Sequence, residues 1–130
     1  MRLGYVIVYV ADVPTTLDFY HRAFGLARRF LHESQTYGEL ETGGTALAFA
    51  HHSVATGSLP GGYVAADATA LPLGMEIGLI AADVPVAVAQ ALAAGATLVL
   101  PATVKPWGQT VAYVRAPEGT LVEICTAIGE

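Results

Sequence analysis

The sequence predicts an α+β domain built from two tandem β-α-β-β-β units, and three observations lead there. The tetrapeptide Ala-Asp-Val-Pro occurs twice, at Ala11–Pro14 and at Ala82–Pro85. Each copy follows a short apolar run and precedes a helical pattern that ends in glycine, at Gly25 and at Gly95. Three strand-like runs then follow in each half. Two copies with the same neighbours on both sides mark one supersecondary unit used twice. The expected organisation is a single domain over 1–130, with unit one at 1–52, a linker at 53–73 and unit two at 74–130.

The elements follow in order. Tyr5 to Val10 is rich in β-branched and aromatic residues and reads as a strand. Val6, Val8 and Val10 share the face suited to packing under a helix; Tyr5, Ile7 and Tyr9 share the other. Asp12 is a candidate N-cap and Pro14 suits a first helical turn. Leu17, Tyr20 and Phe24 recur at helical spacing up to Gly25. Leu26–Glu33, Thr36–Glu41 and Thr45–Ala50 read as strands, with Gly43-Gly44 as a turn and His51-His52 closing the last. The stretch from His51 to Leu73 has no clear period and scattered Gly and Pro, as a crossover or covering loop would. In the second unit Met75–Ala81 reads as a strand and Pro85–Ala94 as a helix with Val88 and Leu92 as its stripe. Thr97–Leu100, Gln109–Arg115 and Thr120–Thr126 read as three further strands.

Composition narrows the functions available. Hydrophobic residues make up 54% of the chain and charged ones only 13%. So little charge to cover a monomer points to burial in an oligomer. The net charge of -5 argues against nucleic acid as the main partner and suits a cationic small molecule. Pro85, Gln90 and Gly95 interrupt the most apolar segment, so no membrane span is expected. No signal-peptide pattern opens the sequence, and the lone Cys125 cannot form an internal disulfide; both fit a cytoplasmic protein. Cys125 reads as a small buried filler, and His21 and His32 as surface residues.

Superposing the units by the repeated tetrapeptide places Tyr5 over Glu76, Ile7 over Gly78 and Tyr9 over Ile80. Matching Gly44-Thr45 to Gly119-Thr120 places Ala48 over Glu123. These positions form one face, which also carries Ala46 and Ala50. Leu47, Phe49, Val122 and Ile124 point the other way, toward helices, so Phe49 belongs to the core. Small residues on the inner face of a curved sheet are expected to leave room for a ligand. Glu123, mid-strand among apolar neighbours, needs water or a partner such as Arg115. If Glu76 and Glu123 share one cavity, their like charges raise one pKa, and the pair could bind a cation or serve as acid and base. Trp107, the only tryptophan, sits between Pro106 and Gly108 and reads as an aromatic platform with Gln109 as a nearby hydrogen-bonding group. Tyr37 and Tyr63 are further candidates to line the site.

Val8-Tyr9-Val10-Ala11-Asp12 leading to Phe19-Tyr20 and Phe24-Gly25-Leu26, and Pro117-Glu118-Gly119 leading to Leu121-Val122-Glu123-Ile124, resemble the vicinal oxygen chelate superfamily. It includes glyoxalases, extradiol dioxygenases, fosfomycin-resistance enzymes and bleomycin-resistance proteins. The resemblance covers nearly the whole chain. It implies that the two units form a partly open barrel around a cavity, commonly at a dimer interface, here expected as that of a homodimer. The positions matching the family's metal ligands are Tyr5, Ala48, Glu76 and Glu123. Only Glu123 keeps the usual ligand type; Tyr5 and Glu76 stand where histidine is common, and Ala48 cannot coordinate. The Trp107 loop resembles one in bleomycin- and mitomycin-binding relatives, where an aromatic ring stacks on the drug.

The expectation is therefore a drug-resistance type protein that binds and sequesters a planar, antibiotic-like molecule without bound metal or other cofactor. Its ligand-binding residues would be Tyr5, Ile7, Tyr9, Ala48, Glu76, Trp107, Gln109 and Glu123. The alternative is an enzyme: a divalent-metal-dependent glyoxalase-type lyase or isomerase, or a metal-free acid/base enzyme, using Glu76 and Glu123 in either case.

Overall fold

A computed structural model describes residues 1–129. Its elements run β1 (Tyr5–Val10), α1 (Val13–Phe24), β2 (Arg28–Leu31), β3 (Tyr37–Leu40), β4 (Ala46–His51), α2 (His52–Ser58), β5 (Glu76–Ile80), α3 (Val84–Ala94), β6 (Thr97–Val104), β7 (Thr110–Arg115) and β8 (Leu121–Cys125).

Both copies of Ala-Asp-Val-Pro start a helix. The Asp12 carboxylate accepts from the Thr15 N–H at 3.0 Å, and the Asp83 carboxylate accepts from the Val86 N–H at 3.1 Å. Each bond satisfies one of the donors that a helix N-terminus leaves free. Gly25 closes α1 in the left-handed region, where its N–H donates to the His21 carbonyl.

The strands form two four-stranded sheets of the same order, β1-β4-β3-β2 and β5-β8-β7-β6. In each, the first and last strands of the unit pair in parallel and the remaining pairs are antiparallel. Among the described residues no strand of one sheet pairs with a strand of the other, so one chain does not close a barrel. The fold is the α+β arrangement of tandem β-α-β-β-β units.

Alternation along the strands decides where the core lies. Val10, Leu47, Phe49, Val114, Val122 and Ile124 are buried on one side of their sheets, packed with Leu17 and Tyr20 of α1 and Val84 and Val88 of α3. The two helices pack on each other, and Gln90 Nε2 donates to the Arg22 carbonyl at 3.0 Å. Fully burying a side chain the size of Phe49 contributes about 1.5–3 kcal/mol, so this helix-side core carries the fold.

Several boundaries differ from the sequence expectation. The second strand shortens to β2 because the chain turns at His32–Gln35, with Gln35 at φ 61. His52 is not part of β4: it opens α2, a helix inside the expected linker. The His51 side chain caps α2, and only Ala55 in it is buried, so it leaves no apolar stripe to read. β6 continues through Pro101 to Val104 as an edge strand, where a missing N–H need not break the ladder. In α3 the stripe runs Val84, Val88 and Ala91, and Leu92 is exposed.

The segment after α2 is fastened down. Arg115 donates from Nε to the Gly119 carbonyl at 3.0 Å, from one terminal nitrogen to Ala70 at 2.8 Å, and from the other to Ala66 and Thr69, both at 2.9 Å. Arg115 is thereby committed to the linker backbone and does not pair with Glu123, which corrects one of the two partners weighed for that carboxylate. Nearby, the Tyr20 hydroxyl donates to Glu118 Oε2 at 2.9 Å, tying α1 to the β7–β8 turn. Burial pushes the Glu118 carboxyl up, and the Tyr20 bond opposes that in part. Gly119 adopts φ +99, and a Cβ there would fall 2.2 Å from the Ala66 carbonyl oxygen. Gly119→Ala therefore combines left-handed strain with a backbone clash. It is expected to cost at least about 1–3 kcal/mol, which lowers the thermal midpoint by roughly 3–10 °C. Scanning calorimetry of the two proteins checks this.

Candidate functional site

Because the helices cover one face of each sheet, the opposite faces are open. On the second sheet, register places Gly78, Glu123, Tyr113 and Leu100 in one row. The Tyr113 hydroxyl donates to Glu123 Oε1 at 3.1 Å. Gly78 has no side chain, and a Cβ built there would lie 3.6 Å from Glu123 Oε2. Glu76 stands on the same face of β5, and its carboxyl is raised by burial first and by the Glu123 charge second. Glu123 also stands close enough to Cys125 to raise its thiol, on top of the larger effect of burial.

Trp107 lies in the turn between β6 and β7. Its Nε1–H donates to Gln109 Oε1 at 2.8 Å, and Gln109 Nε2 donates to the Thr126 carbonyl at 2.8 Å, just past β8. The indole is 62% exposed yet held by this relay. An apolar ring fixed in solvent is ready to stack without a further ordering cost.

The first sheet presents a different face. Tyr5, Ile7 and Tyr9 of β1 stand beside Ala46, Ala48 and Ala50 of β4, and Tyr37 and Glu39 of β3 stand beyond them. Ala48 is 0% exposed, so the alanine column is a covered floor and not an open cavity. Tyr5 and Ile7 remain well exposed. Tyr37 donates to Glu39 Oε2 at 2.7 Å, and burial followed by Glu39 pushes its phenol well up.

Within one chain the expected residues thus fall into two groups. Glu76, Gln109, Trp107 and Glu123 share the second sheet's open side; Tyr5, Ile7, Tyr9 and Ala48 belong to the first. A cavity of about 130 Å³ lies between β1, the linker and the β7–β8 turn, lined in part by Ile7 and Tyr9 of the first group and by Tyr63, Leu73 and Met75. Tyr63 packs on Tyr9 there, with ring centroids 5.1 Å apart, and stacks on His52, whose Nδ1 is hydrogen-bonded to its hydroxyl. Sequence reasoning missed Glu39 and Tyr113. Period-two counting along β3 and β7 puts both on the open faces, so the signal was present.

Within one chain the donor set does not fit a divalent cation. Ala48 offers no donor atom, and Tyr5 stands on the other sheet from Glu76 and Glu123. Among the described residues no three His, Cys, Asp or Glu side chains converge as a metal would need.

Residues 2–124 match the model of the Glyoxalase/Bleomycin resistance protein/Dioxygenase superfamily. Among solved structures, the chain is similar to a glyoxalase-related enzyme from Fulvimarina pelagi, with TM-score 0.81 and 23% identity over 98% of this chain and 88% of that one. It is similar to a glyoxalase/bleomycin resistance protein/dioxygenase family enzyme from Burkholderia phytofirmans PsJN, with TM-score 0.80 and 22% identity over 97% and 98% of the two chains. TioX from Micromonospora sp. ML1 gives TM-score 0.71 and 25% identity over 97% and 98%. No curated protein matches the sequence. None of these three exceeds 25% identity, so they speak to the fold.

The Glu76–Glu123 coupling is measurable. Carboxyl-carbon NMR should show Glu76 titrating above the usual range for glutamate. Glu123→Gln should bring it down but leave it raised, because burial is the larger cause. A raised folded pKa means Glu76 lowers stability as pH climbs from the ordinary glutamate value through the folded one, and Glu123→Gln narrows that window.

Proposed function

The chain belongs to the Glyoxalase/Bleomycin resistance protein/Dioxygenase superfamily, and we propose that it binds and sequesters a planar, cationic, antibiotic-like molecule. One observation carries this reading: an exposed indole held by one hydrogen bond to Gln109, itself anchored to the Thr126 carbonyl, beside a sheet face that bears two carboxylates. Trp107 would stack on the ligand ring, and Glu76 and Glu123 would hold its charge. A cation over an indole contributes about 0.5–2 kcal/mol, and the carboxylates add direction. Within one chain only Glu76 and Glu123 of the positions matching the family's metal ligands offer carboxylates together, and Ala48 offers no donor, so the binding is assigned to side chains alone.

The site is completed by a second copy. Each chain leaves two sheet faces open, one with Tyr5 and Ile7, the other with Ile80 and Trp107. A two-fold pairing lays the first sheet of one copy over the second sheet of its partner and forms two equal cavities, since each contact in a two-fold interface occurs twice. The family resemblance and the low charge content support this arrangement.

A second reading, metal-free acid/base catalysis, is favoured by the Glu76–Glu123 pair itself. A carboxyl raised by burial and by a neighbouring carboxylate is suited to exchange a proton with a bound substrate.

Acridine orange, a planar aromatic cation, tests the binding. Trp107 is the sole tryptophan, so its emission should quench saturably. Glu123→Gln should weaken binding by about tenfold, roughly 1.4 kcal/mol. A linear, unsaturable response would contradict the reading. Light scattering tests the assembly: wild type should run as a dimer, and Ile80→Glu, which puts a charge on an exposed apolar position of β5, should run as a monomer of 13.5 kDa.

A further inference from the structure

We infer that Glu39 supplies the polar recognition group of the first sheet and selects ligands that carry N–H donors. The inference rests on the binding reading above and extends it to a residue that the metal-ligand positions do not include.

The register carries the first step. Across the first sheet one row reads Ile7, Ala48, Glu39, Phe30. The corresponding row of the second sheet reads Gly78, Glu123, Tyr113, Leu100. In the second unit the carboxylate stands on the last strand and a phenol faces it from the neighbouring strand. In the first unit the last strand offers only Ala48, and the carboxylate stands on the neighbouring strand instead. Each sheet therefore keeps one glutamate hydrogen-bonded by a tyrosine, at 3.1 Å across β7 and β8 for Tyr113–Glu123 and at 2.7 Å within β3 for Tyr37–Glu39.

The second step is what Glu39 lacks. It is only 6% exposed, and a buried carboxylate is costly unless its oxygens are hydrogen-bonded. Oε2 has Tyr37. Oε1 has only an Arg29 nitrogen at 3.5 Å. The other two nitrogens of that guanidinium hold Glu41, at 2.9 and 2.7 Å, and the Gly43 carbonyl, which leaves Nη1 facing Oε1 in a long ion pair. Oε1 is thus an acceptor with no short donor, in a row whose outer member, Phe30, is partly exposed. Tyr5, also exposed, stands near enough to Tyr37 to raise its phenol further. A ligand on this face has surface side chains to displace before an N–H reaches Oε1. Matching that donor to a buried acceptor is a strong form of selectivity, because a ligand without it leaves the oxygen unpaired.

Two dyes separate this role from general attraction of cations. Proflavine and acridine orange share a planar cationic ring, but proflavine carries free amino N–H groups and acridine orange has them methylated. Fluorescence polarisation should show wild type preferring proflavine by about tenfold. Glu39→Gln should reduce that preference at least threefold. Tyr37→Phe frees Oε2 as well, so the preference should hold or grow, whereas a merely structural role would weaken both dyes alike. An unchanged preference in Glu39→Gln, or no preference in wild type, overturns the inference and leaves the binding reading standing. Failure of wild type to bind either dye overturns both. If Glu39→Gln does not fold, as judged by circular dichroism, Tyr37→Phe decides alone: a lost preference refutes the role of Glu39, and a kept or larger one supports it.

Discussion

A β-strand can bury only alternate residues against a helix, and that constraint shapes the whole molecule. Both units place their large apolar side chains on the helix side, where α1 and α3 meet in one core. The opposite faces are then left with what the core did not need: tyrosines, alanines, three glutamates and a loop tryptophan. The site follows from where the core is. Glu39, buried, and Glu123, half-buried, each keep a phenol donor on that side.

The two units are joined more firmly than a linker rich in Gly and Pro suggests. Arg115 spends its donors on four backbone carbonyls, three of them in the connection, and Gly119 lets that backbone approach where no side chain would fit. Tyr20 reaches across from α1 to Glu118 in the same turn. These contacts hold the second unit against the first, so the two open faces keep a fixed relation within a chain. A rigid pair of half-sites is what a shared cavity between copies would require, since each half must meet its complement without reordering.

Much of this was legible in the sequence. The repeated Ala-Asp-Val-Pro reported both helix starts, because a cap needs particular residue types at particular offsets. The alternation of Tyr5, Ile7 and Tyr9 against Val6, Val8 and Val10 assigned the faces of β1. What escaped depended on tertiary partners. α2 has one buried residue and so no period. β6 passes through Pro101 only because it lies at an edge. Ala46, Ala48 and Ala50 looked like room for a ligand, but neighbouring strands bring Tyr37 and Glu39 alongside and the alanines are covered. The metal-ligand pattern points at residue 48, whereas the sheet register puts the carboxylate one strand away, at Glu39.

The central claim is that the open sheet faces, not the cleft under the linker, receive the ligand. Amide NMR of the folded protein titrated with proflavine tests this most directly. The account predicts shifts concentrated at residues 105–109, along β5, β7 and β8 around Glu123, and along β3 beside Glu39, with α1 and α3 unmoved. Shifts confined to Tyr63, Val64, Leu73 and Met75 would place the ligand in the cleft between β1 and the linker and contradict it.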